Sequence, residues 1–395
     1  MTKAADALRA AGHEIRVVST RHTPWAKKAD EDMRRGRGWQ WRVVDYSRES
    51  GGLTYWKSGI RGRLSEAFVQ MAGVSRVPFK VGVHAYARVH TELVAAALEQ
   101  RADLFYGGTT GALAATAEAA ARSSVPFGLD LEDFHAEELP EPEGRMQNAL
   151  SRRILQRVVP GAAFLTTSSR QMGEEYARSF GAAPITVNNT FPLPVEAPSI
   201  VSRGDGPLKG YWFSQTVAAG RGIEDFLAGA ALADVPIELH LRGRAVAGYI
   251  DELSRFAARI APRVSIVVSE PAPPDAMISL CGNHDFGLAV EEGDVLSRRL
   301  ALTNKALTYI LAGLAVILTD TEAQRDFAGE LGEGALLYRQ GDHRALAAGL
   351  KRWYCQPERL LAARQAAWRA AVSRWHWEHP SQSGALVHAV EGALA

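Results

Sequence analysis

An alternation that runs twice restricts this chain more than any other feature. Short apolar stretches of strand length alternate with stretches of helical spacing, and a proline-rich segment separates the two runs. In the first run, 4–12 (AADALRAAG) has helical apolar spacing and stops at Gly12, and 15–19 (IRVVS) reads as a buried strand. Helices at 92–100, 112–123 and 171–180 then alternate with strands at 103–107, 126–132, 163–168 and 185–189. The segment 191–210 carries Pro192, Pro194, Pro198 and Pro207, which fit neither helix interiors nor central strands. After it the pattern restarts. Strands are expected at 211–214, 237–243, 263–268, 285–290 and 314–320, helices at 223–233, 249–260 and 303–313, and mostly helix from about 342.

Strand–helix–strand order implies parallel sheets with crossover helices. The expected fold is therefore α/β, with two Rossmann-like, doubly wound parallel-sheet domains facing each other across a cleft at the strand carboxyl ends. The expected boundaries are 1–195 for an amino-terminal acceptor domain, 196–209 for a linker and 210–375 for a carboxyl-terminal donor domain. A carboxyl-terminal helix, 376–395, would cross back to the first domain. Rossmann-like domains open with a strand and a Gly-rich turn. Here Met1 leads straight into a helix, so the first strand is expected to be missing from the sequence.

Composition removes several classes. With 45 Lys plus Arg against 44 Asp plus Glu, a strongly basic nucleic-acid binder is not the expectation. Hydrophobic residues make up 47% of 395, enough for two cores and too many for disorder. Cys281 and Cys355 cannot build a disulfide scaffold or a zinc cluster by themselves. The run 306–318 is shorter than the about 20 apolar residues a bilayer span needs. Charges at Lys3, Asp6, Arg9, Glu14 and Arg16 do not fit a signal peptide. The expected location is cytoplasmic, at or near the inner face of the membrane. Membrane contact would come through 25–42, where Trp25, Trp39 and Trp41 stand among Lys and Arg residues. A charged surface loop is the other reading of that segment.

Chemistry concentrates at four places. Thr303 is a candidate N-cap, with Asn304 and Lys305 in the first helical turn. Free N–H groups, the helix dipole and a Lys charge together suit a phosphate. In 211–229 a strand enters a loop of Gly220, Arg221 and Gly222 and a helix follows. Small residues there admit a ligand to the backbone, and Arg221 can pair with a diphosphate. Arg242 stands at another strand end. Glu291, just past a strand, offers a carboxylate to sugar hydroxyls. Asp130, Glu132, Asp133 and His135 follow an amino-terminal strand and are candidates to orient an acceptor or act as base. For each of these an ordinary loop or buried helix remains the alternative. His84 and His90 read as structural.

These residues resemble retaining glycosyltransferases of the B-type, two-Rossmann architecture, in the large group-1 family (family-4-like). The carboxyl half carries the likeness, through "FSQT…GRGIEDFL…LHLRG…DFGLAVE…TNKALTYILAGLAVILTDT", over roughly 207–375. "AADALRAAGHEIRVV", "DLFYGGTTGALAA…PFGLDLED" and "AAFLTTSSRQMGEEYA…ITVNN" match more loosely. The resemblance implies a nucleotide-diphosphate sugar bound in the carboxyl domain and an acceptor in the amino domain. It further implies transfer with retention and without a metal or other cofactor. Arg221 and Lys305 would hold the diphosphate, assisted by Gly220, Gly222, Thr303 and Asn304. Glu291 and Arg242 would meet the sugar and nucleotide, and Asp130 and Glu132 would be catalytic. The expected partners are the nucleotide sugar and a glycan, lipid-linked or small-molecule acceptor. The family often has two glutamates, the second in the helix before Gly-Leu-Pro-Val. Here that helix position is Thr308, and "GLAV" replaces "GLPV". A non-catalytic sugar-nucleotide-binding or assembly partner, and a nucleotide-sugar epimerase on the same fold, remain the alternatives. Loss of Lys305 is expected to lower transfer while barely altering folding.

Overall fold

The computed structural model describes residues 1–23, 26–293 and 295–395. The chain forms two compact units. Unit 1 comprises Met1–Val187, Val295–Ser297 and Ser383–Ala395, and unit 2 comprises Asn188–Asp294 and Arg298–Gln382. The breaks in the chain thus fall near 187 and 382, where the sequence suggested 195 and 375.

In unit 1, β1 (Arg16–Arg21) and β2 (Gln40–Asp45) form a parallel pair. A second parallel sheet has the order β3 (Phe105–Gly108), β4 (Phe127–Leu131), β5 (Phe164–Thr167) and β6 (Ile185–Thr186). The helices Thr110–Ser123, Arg145–Val158 and Arg170–Phe180 make the crossovers within it. The last of these is capped at both ends: Ser169 Oγ accepts from the Met172 N–H, and Gly181 takes the left-handed conformation. Leu129, Leu131, Phe134, Leu155, Met172 and Tyr176 are fully buried and hold this sheet to its helices. The helix Ala385–Leu394 belongs to the same unit and buries Leu386, Ala389 and Val390. It begins nine residues later than the 376 the sequence suggested, because Pro380–Gly384 forms a separate π-helical turn.

Among the described residues four helices of unit 1 lie outside those expected from the sequence: Ala26–Arg34, Leu53–Ala72, Phe79–Tyr86 and Arg145–Val158. The helix Ala26–Arg34 and β2 replace the reading of 25–42 as a surface loop. Trp39 is buried and its indole N–H donates to Asp6 at 2.9 Å. The Trp41 indole donates to Ser19 at 2.7 Å. Both rings therefore help to hold β1 and β2 in place, Trp39 buried and Trp41 half-buried. Trp25 lies outside the described residues.

Unit 2 has one six-stranded parallel sheet, with the order β12 (Ala335–Tyr338), β11 (Ala315–Thr319), β10 (Phe286–Ala289), β7 (Leu208–Val217), β8 (Ile237–Ala245), β9 (Val264–Ser269). The order reverses between β10 and β7, so the helices after these two strands diverge and leave a crevice at the strand ends. Strand β7 starts at Leu208, inside the expected linker, because Leu208 already pairs with Ile237. Phe226, Leu227, Leu239, Leu241, Phe286 and Ile317 fill one face of the sheet. Leu307, Tyr309, Ile310, Val316 and Leu318 fill the other. Both faces are covered, which explains why β11 reads as an unbroken apolar run. Among the described residues no helix is long and apolar enough to cross a membrane.

Candidate active site

In unit 2 the residues picked from the sequence gather around the β7–β10 reversal. Strand β7 ends at Val217, and the loop that follows presses against the end of β10. Gly222 makes this possible. Its φ is +76°, and a Cβ there would stand 2.7 Å from the Val290 carbonyl oxygen. Gly220 is also left-handed, at +72°. The Gly222 N–H, at the head of the helix Ile223–Ala233, donates to Glu292 at 3.3 Å. Arg221 stands between the two glycines, half-buried.

Lys305 and Glu291, assigned different tasks by the sequence, face each other. Lys305 Nζ lies 2.7 Å from Glu291 Oε1, and the two side chains are only 15% and 10% exposed. The ammonium also sits 5.9 Å from the Trp212 ring. A pair this enclosed is held by mutual compensation, and removing one partner strands the other's charge. Lys305 is therefore tied to the fold through Glu291 as well as placed for a ligand. The Glu291 backbone is itself fixed. Its N–H donates to Thr319 Oγ1 and the same hydroxyl donates to its carbonyl, both at 2.9 Å.

Thr303 is the N-cap of the helix Asn304–Leu311 by backbone conformation, but its side chain makes no capping bond. Its hydroxyl oxygen is buried with no hydrogen-bond partner among the described residues. A donor group aimed at nothing, beside an ammonium and free helix N–H groups, suits an anionic oxygen. Asn304 is exposed. Thr308 turns back on its own helix, donating to the Asn304 carbonyl at 2.8 Å. Arg242 is engaged by the protein: Nε donates to the Tyr211 hydroxyl at 2.6 Å and a terminal nitrogen to the Glu270 carbonyl at 2.7 Å. A cavity of about 210 Å³ opens beside Glu291 and is lined also by Thr319, Thr321, Arg325 and Arg339.

In unit 1 the acidic cluster lies at the end of β4. Asp130 pairs in register with Gly108 on one side and Thr166 on the other. Thr166 Oγ1 donates to Asp130 Oδ1 at 2.8 Å. Since that hydroxyl has one proton, the Tyr106 hydroxyl, 2.7 Å away, must donate to it. Tyr106 and Thr166 were not singled out in the sequence; only strand register reveals them. Burial raises the pKa of Asp130, with Lys3 and the terminal ammonium opposing. Burial, then Asp130, raises Glu132. Burial lowers Lys3 to about 8, against the pull of these two carboxylates. His135 is buried, with Nδ1 against Glu138 at 2.8 Å and Nε2 without a partner among the described residues. His84 and His90 pack together, engaged by Thr91 and Glu118. Among the described residues no three His, Cys, Asp or Glu side chains form a metal-holding group.

The chain can now be set beside known proteins. Residues 1–189 match the family model of the glycosyl transferase 4-like domain. No curated protein sequence matches the chain. Among solved structures, Alr3699/HepE of Anabaena in complex with UDP superposes with a TM-score of 0.62 at 16% identity. The match covers 96% of this chain and 98% of that one. Sucrose-phosphate synthase of Thermosynechococcus elongatus gives 0.67 at 13% identity, over 98% and 90% of the two chains. A glycosyltransferase of Rickettsia africae gives 0.59 at 9%, over 98% and 90%. At these identities the structural likeness establishes the fold alone.

Proposed function

We propose that the chain is a glycosyltransferase of the two-Rossmann, group-1 type that moves a sugar from a nucleoside-diphosphate donor to an acceptor hydroxyl with retention at the anomeric carbon, a reading supported by the domain match over 1–189 and the shared fold. The observation that carries the donor assignment is the convergence of Lys305, the unpartnered Thr303 hydroxyl and the Gly220–Gly222 turn at one strand-order reversal. In this reading Arg221, Lys305 and the backbone at Gly220, Gly222, Thr303 and Asn304 hold the diphosphate. Glu291 and Arg242 face the sugar and nucleotide. In this reading a diphosphate competes with Glu291 for the Lys305 ammonium, and Glu291 accepts from a sugar hydroxyl.

Negative charge grows on the diphosphate as the bond to the anomeric carbon breaks. Lys305, Arg221 and the helix N-terminus oppose that charge more strongly in the transition state than before it. No metal or other cofactor is needed for this, since fixed cations fill the role. Asp130 and Glu132 orient the acceptor in unit 1, with the Tyr106–Thr166 relay fixing Asp130. The acceptor proton passes to the departing diphosphate. Acceptors considered are a glycan, a lipid-linked saccharide or a small molecule, in the cytoplasm.

Because HepE is a structure with UDP and with UDP-glucose, these two compounds are the first probes. Isothermal titration should show UDP binding that Lys305→Ala weakens at least tenfold, the loss of a charge-assisted contact worth about 1.5–3 kcal/mol. Failure of any nucleoside diphosphate to bind at millimolar concentration would defeat the donor assignment. Proton NMR of the product decides stereochemistry, and an inverted anomer would defeat retention.

A further inference from the structure

The helix Leu53–Ala72 is built inside out. Its buried positions are Ser58, Gly62, Ser65 and Val69, while Leu53, Trp56, Ile60, Leu64, Phe68 and Met71 are exposed. Gly62 explains the docking: a Cβ there would stand 2.9 Å from the Arg88 side chain. The small residues thus let the helix lie close on its own unit, and the large ones are left outside. At 3.6 residues per turn the exposed six fall on one stripe about 120° wide that runs the length of the helix. Met71 is 82% exposed, Leu53 74% and Leu64 67%. Six large apolar side chains in a continuous row exceed the scattered exposed residues of an ordinary surface.

Charge says what covers the stripe. From 53 to 80 the sequence holds five cations (Lys57, Arg61, Arg63, Arg76, Lys80) and one carboxylate, Glu66, in a chain whose net charge is +1. Arg63 is exposed and lies along the Trp56 margin of the stripe, and Lys57, also exposed, stands within the stripe near its Phe68 edge. Arg61, on the Lys57 side, is held by Glu92 and the Arg88 carbonyl. An apolar row containing Trp, Phe and Leu, edged by cations, is the pattern of a helix lying in the plane of a bilayer surface, with the row in the acyl boundary and the cations on anionic headgroups. A second copy of the chain would bring the same cations against themselves, which opposes pairing through this face. We infer that the helix Leu53–Ala72 is an interfacial anchor that seats unit 1 on an anionic lipid surface. The inference stands apart from the donor chemistry and survives its failure.

The test is co-sedimentation of the full chain with vesicles of phosphatidylcholine alone, or of phosphatidylcholine with about a third phosphatidylglycerol. The Ile60→Ser/Leu64→Ser variant and the Lys57→Gln/Arg63→Gln variant are run beside it, with circular dichroism to show that both are folded. The expected result is sedimentation with the anionic vesicles at least tenfold above that with neutral ones. Each variant should lose at least tenfold, and added salt should weaken binding by the native chain. Absence of native binding, or unchanged binding by the folded Ile60→Ser/Leu64→Ser variant, overturns the inference. So does a dimer in light scattering that the same substitutions dissolve while vesicles leave the native chain in solution.

Discussion

Replacing Lys305 by Met keeps most of the side-chain volume and removes the ammonium that faces Glu291 at 2.7 Å. The Glu291 carboxylate is then left nearly enclosed without its counter-charge. Breaking a buried pair in this way costs about 3–5 kcal/mol, and the residual 10–15% exposure places the cost near the lower end, about 3 kcal/mol. For a unit of about 190 residues, each kcal/mol moves the midpoint by about 2–4 °C, so the transition of unit 2 should fall by about 6–12 °C. Differential scanning calorimetry at pH 7 reads this directly. The double variant Lys305→Met/Glu291→Gln removes both charges and should recover to within about 1 kcal/mol of the native chain. If Lys305→Met melts within about 2 °C of the native chain, the pair is not a structural contact and the reasoning fails. If the double variant is no more stable than the single one, the cost came from lost packing and not from the stranded carboxylate.

Burial lowers the His284 pKa to about 4. Its unfolded value is near 6.5, so below that pH the unfolded chain takes up a proton the folded chain refuses. Stability should therefore drop as pH falls from 6.5 to 4, by about 3 kcal/mol from this site. Urea titrations over that range on His284→Asn, which removes the titration, should show a shallower acid loss; an identical slope contradicts the assignment. Gly222→Ala places a Cβ 2.7 Å from a backbone oxygen at a left-handed φ. It should cost at least about 2 kcal/mol in urea unfolding and weaken UDP binding together, and a variant of native stability would show that the turn is not pressed on β10. Transfer activity should persist in EDTA, and complete loss restored by magnesium or manganese would show that fixed cations do not suffice.

The carboxyl half was the more legible in the sequence. The helices Ile223–Ala233 and Tyr249–Ile260 stand at the positions read from apolar spacing, their buried residues recurring at helical intervals. The helix Leu53–Ala72 escaped because its inward face is Ser and Gly while its outward face is apolar, the reverse of the rule that spacing arguments use. Strand β6 shrank to Ile185–Thr186, since beyond it the Asn188 N–H is taken by Gln382 rather than by a strand. At the site, residue types named the individual groups but not their pairing. Lys305 opens one helix and Glu291 closes one strand, and only the packing of that helix beside β10 brings them to 2.7 Å. The Tyr106–Thr166–Asp130 relay spans three strands, and no local pattern encodes strand register.

Unit 1 is interrupted in sequence, and that has a consequence in time. A ribosome delivers the chain from Met1 onward at about 5–20 residues per second, so about 10–40 s separate the emergence of Val187 from that of Ser383. During this interval unit 1 lacks the helix Ala385–Leu394, and the surfaces that bury Leu386, Ala389 and Val390 stay open to water. Unit 2, whose strands lie within 208–338, has all of its sheet before the first unit can be finished. Vectorial synthesis thus completes the second-made unit's sheet first and leaves the first-made one waiting for the last thirteen residues. A nascent chain stalled before Ser383 should be cleaved by protease in unit 1 at sites that the released protein protects.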